Sequence, residues 1–503
     1  MAPTPKLPIV YVRGYAGGTA GIDQAVTDPF YGFNQGSTHI RIGSDDVPCF
    51  YEFESPLLRL HLDEGYRILV DGGQARYLAT HDRIPPETIW IHRFYDTSAT
   101  TWGGSPREFR LETAAEDLLK LIDTIKAKSG APGVHLIAHS MGGLVCRCLI
   151  QKILPDLGRD PTDCVAKLFT YGTPHGGIAF DVGFGVLERL RDVTGINGAE
   201  IFGRERMYEY LTPKTETDPD GPPPAWDARA MPERGRFPFP HDRVFCLIGT
   251  DPTDYDVAHG LSAATVGPRS DGLVQIDNAY VPEAHQAYVH RSHSGCYGLV
   301  NSEEAYQNLR RFLFGDHEAE AALVGVRLPQ RDDTVWQAEV RLSVRGLQIV
   351  THERTSAHWC PIQLPDGSAD DGATIPLVNT FLCSTLRADA FGTMRYALHL
   401  RILSLRRRDG LLNFNDHLEQ TADFDDILII DARADPAAAV PALSATWNSA
   451  ITGPISAFRP DDHAVHDEDP APGVWACQVR LPATAAPILG EDARIRLTVA
   501  PWG

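Results

Sequence analysis

The sequence predicts an α/β protein, a mostly parallel sheet with helices on both faces, followed by an all-β sandwich. Three observations predict it. Up to about residue 315, short apolar runs alternate with helical patterns, the sequence form of a parallel sheet covered on both sides. After Phe314-Gly315 the apolar residues recur at every second position, as half-buried antiparallel strands require. Between the strand-like run Val134–Ala138 and a helical pattern beginning at Met141, only a few residues intervene, so the chain must turn sharply around Ser140.

Taken along the chain, the strands expected are Pro8–Val12, Ile89–Phe94, Val134–Ala138, Lys167–Tyr171 and Arg243–Ile248. Glu112–Lys128 places Ala115, Leu118, Leu119, Ile122 and Ile125 on one face, an i, i+3, i+4 pattern that predicts a helix between two of these strands. Two long stretches interrupt the rhythm and read as insertions near strand ends: about 16–88, rich in Gly and Asp, and about 177–240, which closes on a Pro-rich segment. In the second, Val182, Val186, Leu187, Leu190 and Val193 recur at helical spacing between glycines. They predict either a helix packed on the sheet or a mobile lid over a binding site. Farther on, Trp336, Ala338, Val340, Leu342 and Val344 alternate with polar residues, as do Tyr396, Leu398, Leu400 and Ile402, Trp475–Leu481 and Ile495–Val499. Residues 1–315 thus read as one domain and 320–503 as a β-sandwich accessory domain.

A chain of 503 residues exceeds one ordinary domain. Its 43% hydrophobic and 22% charged residues are globular composition. A formal net charge of −20 argues against nucleic acid as a partner. The nine cysteines are scattered, with neither a disulfide framework nor zinc-ligand spacing. The first residues lack a basic segment followed by an apolar stretch, and no run reaches membrane-spanning length. The expectation is a cytoplasmic protein without a transmembrane segment, with processing of a longer precursor and signal-less export left open.

The segment Ala138-His139-Ser140-Met141-Gly142 has the form small-x-Ser-x-Gly. A sharp strand-to-helix turn strains the serine backbone, and only small residues two positions either side let neighbouring backbone approach. The serine oxygen is then exposed above the sheet, and the Met141 amide, at a helix N-terminus, aims at the same spot as an oxyanion donor. Glycines around Tyr15 in Arg13-Gly14-Tyr15-Ala16-Gly17-Gly18 let the Tyr15 N–H serve as a second donor.

These segments, with Tyr171-Gly172-Thr173-Pro174-His175-Gly176-Gly177, resemble the bacterial lipase/esterase branch of the α/β-hydrolase superfamily over roughly residues 7–315. Ala138 stands where the elbow usually has Gly, and Arg13 where lipases usually carry His. The resemblance implies the order Ser, acid, His. Ser270-Asp271-Gly272-Leu273-Val274 resembles the segment that carries the lipase acid, which selects Asp271, with Asp251 and Asp254 as rivals after the strand Arg243–Ile248. The base falls before the last helix, where His293, followed by Ser-Gly, fits best and His290 and His285 are alternatives. His175 reads as a residue that holds its loop.

The function implied is a serine carboxylic-ester hydrolase acting through an acyl-enzyme, with Ser140, His293 and Asp271 as triad and Tyr15 and Met141 as oxyanion donors. Its partner would be an ester or lipid substrate, with lipid-surface contact left open and a β-domain that adds substrate or surface contacts. No cofactor and no metal is expected; Asp423–Asp426 could hold calcium, but a solvated acidic face is the simpler reading. The competing readings are a phospholipase or secreted toxin-like lipase, and an inactive scaffold whose β-sandwich binds a partner.

Overall fold

The computed structural model describes residues 6–14, 18–42, 48–69, 73–96, 98–100, 109–178, 201–233, 236–254, 266–329, 331, 334–365, 374–383, 385–386, 393–408, 417–433, 441–453, 458–468 and 473–502. They divide into two units, Met1–Gln286 with His290–Tyr306, and Ala287–Val289 with Gln307–Gly503.

In the first, the elements run β1 (Ile9–Val12), α1 (Gly18–Thr27), β2 (Ser37–Ile42), β3 (Pro48–Phe53), α2 (Pro56–Glu64), β4 (Arg67–Ile68), α3 (Gln74–Thr80), β5 (Thr88–His92), α4 (Leu111–Ser129), β6 (Val134–His139) and α5 (Met141–Cys148). There follow β7 (Val165–Tyr171), α6 (Arg204–Leu211) and β8 (Val244–Gly249), while β9 (His285–Val289) and α7 (Glu303–Phe314) each have residues in both units. Seven strands form one sheet in the order β4-β5-β1-β6-β7-β8-β9, and β2 and β3 pair separately. The pairs from β4 through β8 are parallel. All five expected strands are present within one or two residues.

Buried parallel strands must be apolar on both faces, and β1 and β8 are buried at every position. The helix α4 is set by its sequence: Glu112 in the first turn and Lys126 and Lys128 in the last suit the helix dipole. Gly130, at φ 71°, closes it by returning its N–H to the Lys126 carbonyl. The stretch 16–88 is more than an insertion. It supplies the edge strand β4 and the helix α2, whose first turn is capped by Ser55 accepting from the Leu57 and Leu58 amides.

Register places the functional ends level. Val12 lies beside His92 and Ala138, His139 beside Tyr171, and Tyr171 beside Leu247. The chain leaves β1 for β5 on one side and β6 on the other, so the strand order reverses there. The crevice beyond the carboxyl ends at such a reversal is where open α/β sheets bind ligands.

The second unit holds β10 (His317–Val324), β11 (Thr334–Val344), β12 (Val350–Arg354), β13 (Ile362–Gln363), β14 (Ile375–Leu382), β15 (Thr393–Arg408), β16 (His417–Arg433), β17 (Ala442–Trp447), β18 (Trp475–Arg480) and β19 (Arg494–Pro501). They make two antiparallel sheets, β14-β10-β19-β18 and β12-β11-β15-β16-β17, with β13 added on β11. The alternating apolar residues of β11, β15, β18 and β19 form one buried cluster. The other face of β11 is less wet than its sequence suggests. Glu339 is buried because its carboxylate accepts from Arg401 at 2.6 Å and from the Ser356 amide at 2.8 Å. Among the described residues no helix is long and apolar enough to cross a membrane.

Candidate active site

β6 ends at His139, and α5 begins at Met141. Ser140 between them sits at φ 55°, ψ −130°, a conformation costly for a residue with a Cβ. The surroundings enforce it. The Ser140 amide donates to the Tyr171 carbonyl at 2.8 Å. Its carbonyl accepts from the Gly143 amide at 3.0 Å and the Thr173 hydroxyl at 2.9 Å. A Cβ on Gly142 would lie 2.3 Å from the Val12 carbonyl oxygen, and one on Gly14 would lie 2.6 Å from the Ser140 Cβ. Both glycines are therefore demanded by space.

The Ser140 Oγ lies 2.9 Å from His293 Nε2, and His293 Nδ1 lies 2.8 Å from Asp271 Oδ2. A carboxylate only accepts, so Nδ1 carries the ring proton and Nε2 offers a lone pair to the serine hydroxyl. All three side chains are buried, Ser140 at 5% exposure. The other Asp271 oxygen accepts from the Leu273 amide at 3.0 Å and the Val274 amide at 2.8 Å. The His293 amide donates to the Asp271 carbonyl at 2.8 Å. Gly172, at φ 51°, leaves room for the pair, since a Cβ there would lie 2.8 Å from Asp271 Oδ2 and 3.1 Å from His293 Nδ1.

Three residues that sequence reasoning passed over support this row. Thr173 buttresses the Ser140 carbonyl. Gly172 makes space for the His–Asp contact; its place in the Gly-Thr-Pro-His segment was the available signal. His139 Nε2 donates to the His293 carbonyl at 2.9 Å. Burial, together with the nearby His293 and Arg13, pushes the His139 pKa down to about 3, so the ring is neutral at working pH.

The rival residues lie elsewhere. Asp251 Oδ1 accepts from the Thr253 amide at 2.9 Å and hydroxyl at 2.6 Å, and Oδ2 is 4.0 Å from His290 Nε2. Burial raises the Asp251 pKa, but these hydrogen bonds outweigh it and hold the carboxyl below its usual range. The Asp254 amide points at the same Asp251 oxygen at 3.4 Å. His285 Nε2 donates to the Asp242 carbonyl at 2.9 Å. His175 is fully buried, 3.2 Å from the Thr170 hydroxyl, and its carbonyl accepts from Arg147 at 3.0 Å. Burial and the Arg147 charge hold its pKa well below the ordinary value.

The Met141 amide, first in α5, belongs to the helix-end N–H groups that have no intrahelical acceptor. Tyr15 lies outside the described residues, as do Val182, Val186, Leu187, Leu190 and Val193 of the candidate lid. Arg13 donates to the Tyr31 carbonyl, which ties the start of its loop to the chain after α1. Within Asp423–Asp426, Asp425 faces His399 at 2.6 Å and Asp426 accepts from the Ile427 amide at 2.7 Å.

A parallel sheet whose carboxyl edge carries a strained serine, bonded through histidine to a carboxylate, defines a hydrolase. Residues 49–295 match a family model described as "Alpha/beta hydrolase family". The chain thus carries an α/β-hydrolase domain. Among solved structures it is similar to a gene product of Listeria innocua, at 14% identity and a TM-score of 0.27, over 61% of this chain and 94% of that one. It is also similar to a putative cell surface hydrolase from Lactobacillus plantarum, at 11% identity and a TM-score of 0.25, over 62% and 92%.

Proposed function

We propose that the protein is a serine carboxylic-ester hydrolase of the lipase/esterase kind. The observation that carries this is the continuous hydrogen-bonded row from Ser140 Oγ through His293 to Asp271, at 2.9 and 2.8 Å. As the hydroxyl attacks the ester carbonyl, His293 Nε2 takes its proton, and Asp271 stabilises the charged ring and keeps its orientation. The Met141 amide, with the Tyr15 amide as the second donor, holds the oxyanion. His293 then protonates the departing alcohol. Water, deprotonated by the same nitrogen, releases the acid from Ser140. Removing one oxyanion donor would cost ~100–1000-fold in rate. No step requires a metal or an organic cofactor.

The test is hydrolysis of nitrophenyl butyrate and nitrophenyl palmitate side by side, with Ser140→Ala protein as the blank. Serine-dependent turnover is expected, a palmitate preference marking a lipase and a butyrate preference a carboxylesterase. No turnover above the blank on either ester would overturn the carboxylic-ester reading.

A further inference from the structure

Glu233, His241 and Glu283 bring one carboxylate oxygen, one imidazole nitrogen and a second carboxylate oxygen within 4.8 Å of one another. His241 opens the short 3-10 turn His241–Arg243 that feeds β8, and Glu283 stands two residues before β9. Ser140 follows β6, which runs parallel to β7 and β8. The cluster therefore lies at the end of the sheet away from the nucleophile and has no part in the reaction above.

The imidazole identifies what the cluster takes. His241 Nε2 is 2.7 Å from the Met231 carbonyl oxygen. A carbonyl only accepts, so Nε2 carries a ring proton, and in the neutral ring Nδ1 keeps a bare lone pair. That nitrogen points at Glu233 Oε1, 3.2 Å away, and Glu283 Oε2, 3.6 Å away. It is buried, in a side chain of a residue only 9% exposed, and has no hydrogen-bond partner among the described residues. A lone pair facing two carboxylate oxygens is repulsive unless positive charge, a metal ion or a second ring proton, lies between them. The spacing suits one. Ligand bonds of about 2.0–2.1 Å in a tetrahedron put neighbouring donor atoms about 3.3–3.4 Å apart, which the two distances bracket. A ring whose other nitrogen donates to a backbone carbonyl is the usual posture of a metal-binding histidine. Glu233 Oε1 is itself steadied by the His241 amide at 3.2 Å.

We propose that Glu233, His241 and Glu283 bind a divalent cation of the zinc class, with water completing the shell. One imidazole and two carboxylates suit such an ion, whereas calcium requires more oxygen donors. The ion joins the loop before β8 to the turn before β9, and its consequence is stability.

The test uses the full chain, stripped with EDTA, freed of chelator and titrated at neutral pH with zinc, and separately with calcium, against a chromophoric competitor. Glu233→Gln and Glu283→Gln keep the shapes and remove the charges. The wild type is expected to bind one equivalent more tightly than either variant, by at least the ~10–100-fold that loss of an outer partner costs a metal site. Zinc should raise the wild-type melting temperature and leave both variants nearly unmoved, with ester turnover unchanged in all three. Zinc-edge absorption should report nitrogen and oxygen neighbours. Equal zinc affinity in wild type and variants, sulfur in the zinc shell, or a calcium response as large as that of zinc would each overturn the proposal. Absence of zinc binding would overturn it too, leaving a proton on Nδ1 as the cation.

Discussion

At the scale of single residues, Ser140 should be replaceable without structural harm but not without chemical loss. Ser140→Ala removes one oxygen from a site whose backbone is held by Tyr171, Gly143 and Thr173. Turnover should fall to that of the ester in buffer without protein while the melting temperature stays within a few degrees; turnover near wild type would refute the nucleophile. His293→Ala should match it, and His290→Ala should not, because His290 lies 4.0 Å from Asp251 in another contact. If the two histidine variants behaved the other way round, the base would be misassigned. Thr173→Val deletes one of two donors to the Ser140 carbonyl, a loss of about 0.5–1.5 kcal/mol. It should lower kcat more than it raises KM, read from steady-state kinetics. Ser140, Asp271 and His293 were legible from the sequence because each stands in a motif with a steric or positional signature. Thr173 and His139 were not: one hydroxyl and one ring gain their roles from neighbours 33 and 154 positions away.

At the scale of elements, the strand-to-helix turn depends on close approach of three backbone segments. A Cβ on Gly142 would meet two carbonyl oxygens of the β1 end at 2.3 and 2.6 Å, and one on Gly143 would meet the Thr173 hydroxyl oxygen at 2.2 Å. Gly142→Ala pushes backbone against backbone and should cost more than the ~1–3 kcal/mol typical of overpacking. Gly143→Ala meets the buried Thr173 side chain from hydroxyl to Cβ, at 2.2 to 2.8 Å, which rotation does not clear, and should also cost at least ~1–3 kcal/mol. Thermal unfolding reads both losses, and a variant as stable as wild type would contradict the steric argument. The central strands were legible because parallel strands buried on both faces are unbroken apolar runs. Strand β4, two residues long, carries no periodicity, and Glu339 mimics a solvent-facing residue until Arg401 and Ser356 are seen to meet it.

At the scale of the whole molecule, burial of histidines sets a limit in acid. Burial pushes the pKa of His92 to about 4 and those of His135 and His352 to about 3, and it is also the chief cause of the value of about 3 at His139. An unfolded histidine takes its proton near pH 6.5. Between that value and about 3 to 4, the unfolded chain binds more protons than the folded one, so stability falls as pH falls. Each such histidine contributes up to ~1.4 kcal/mol per pH unit. The melting temperature should drop steadily from pH 7 to 4.5, and His135→Gln should flatten the slope. A melting temperature that held constant over this range would count against burial as the cause.

The row of hydrogen bonds at the sheet edge has one more consequence. Its serine and histidine stand 153 positions apart in the chain yet meet at 2.9 Å. Bringing such distant residues together costs loop entropy that only a nearly finished sheet repays. Reactivity of Ser140 toward an active-site phosphonate is thus a clock on assembly. Labelling aliquots along a refolding time course would date the moment at which β6, β7 and β8 have closed ranks, long after far-ultraviolet signals register that helices exist.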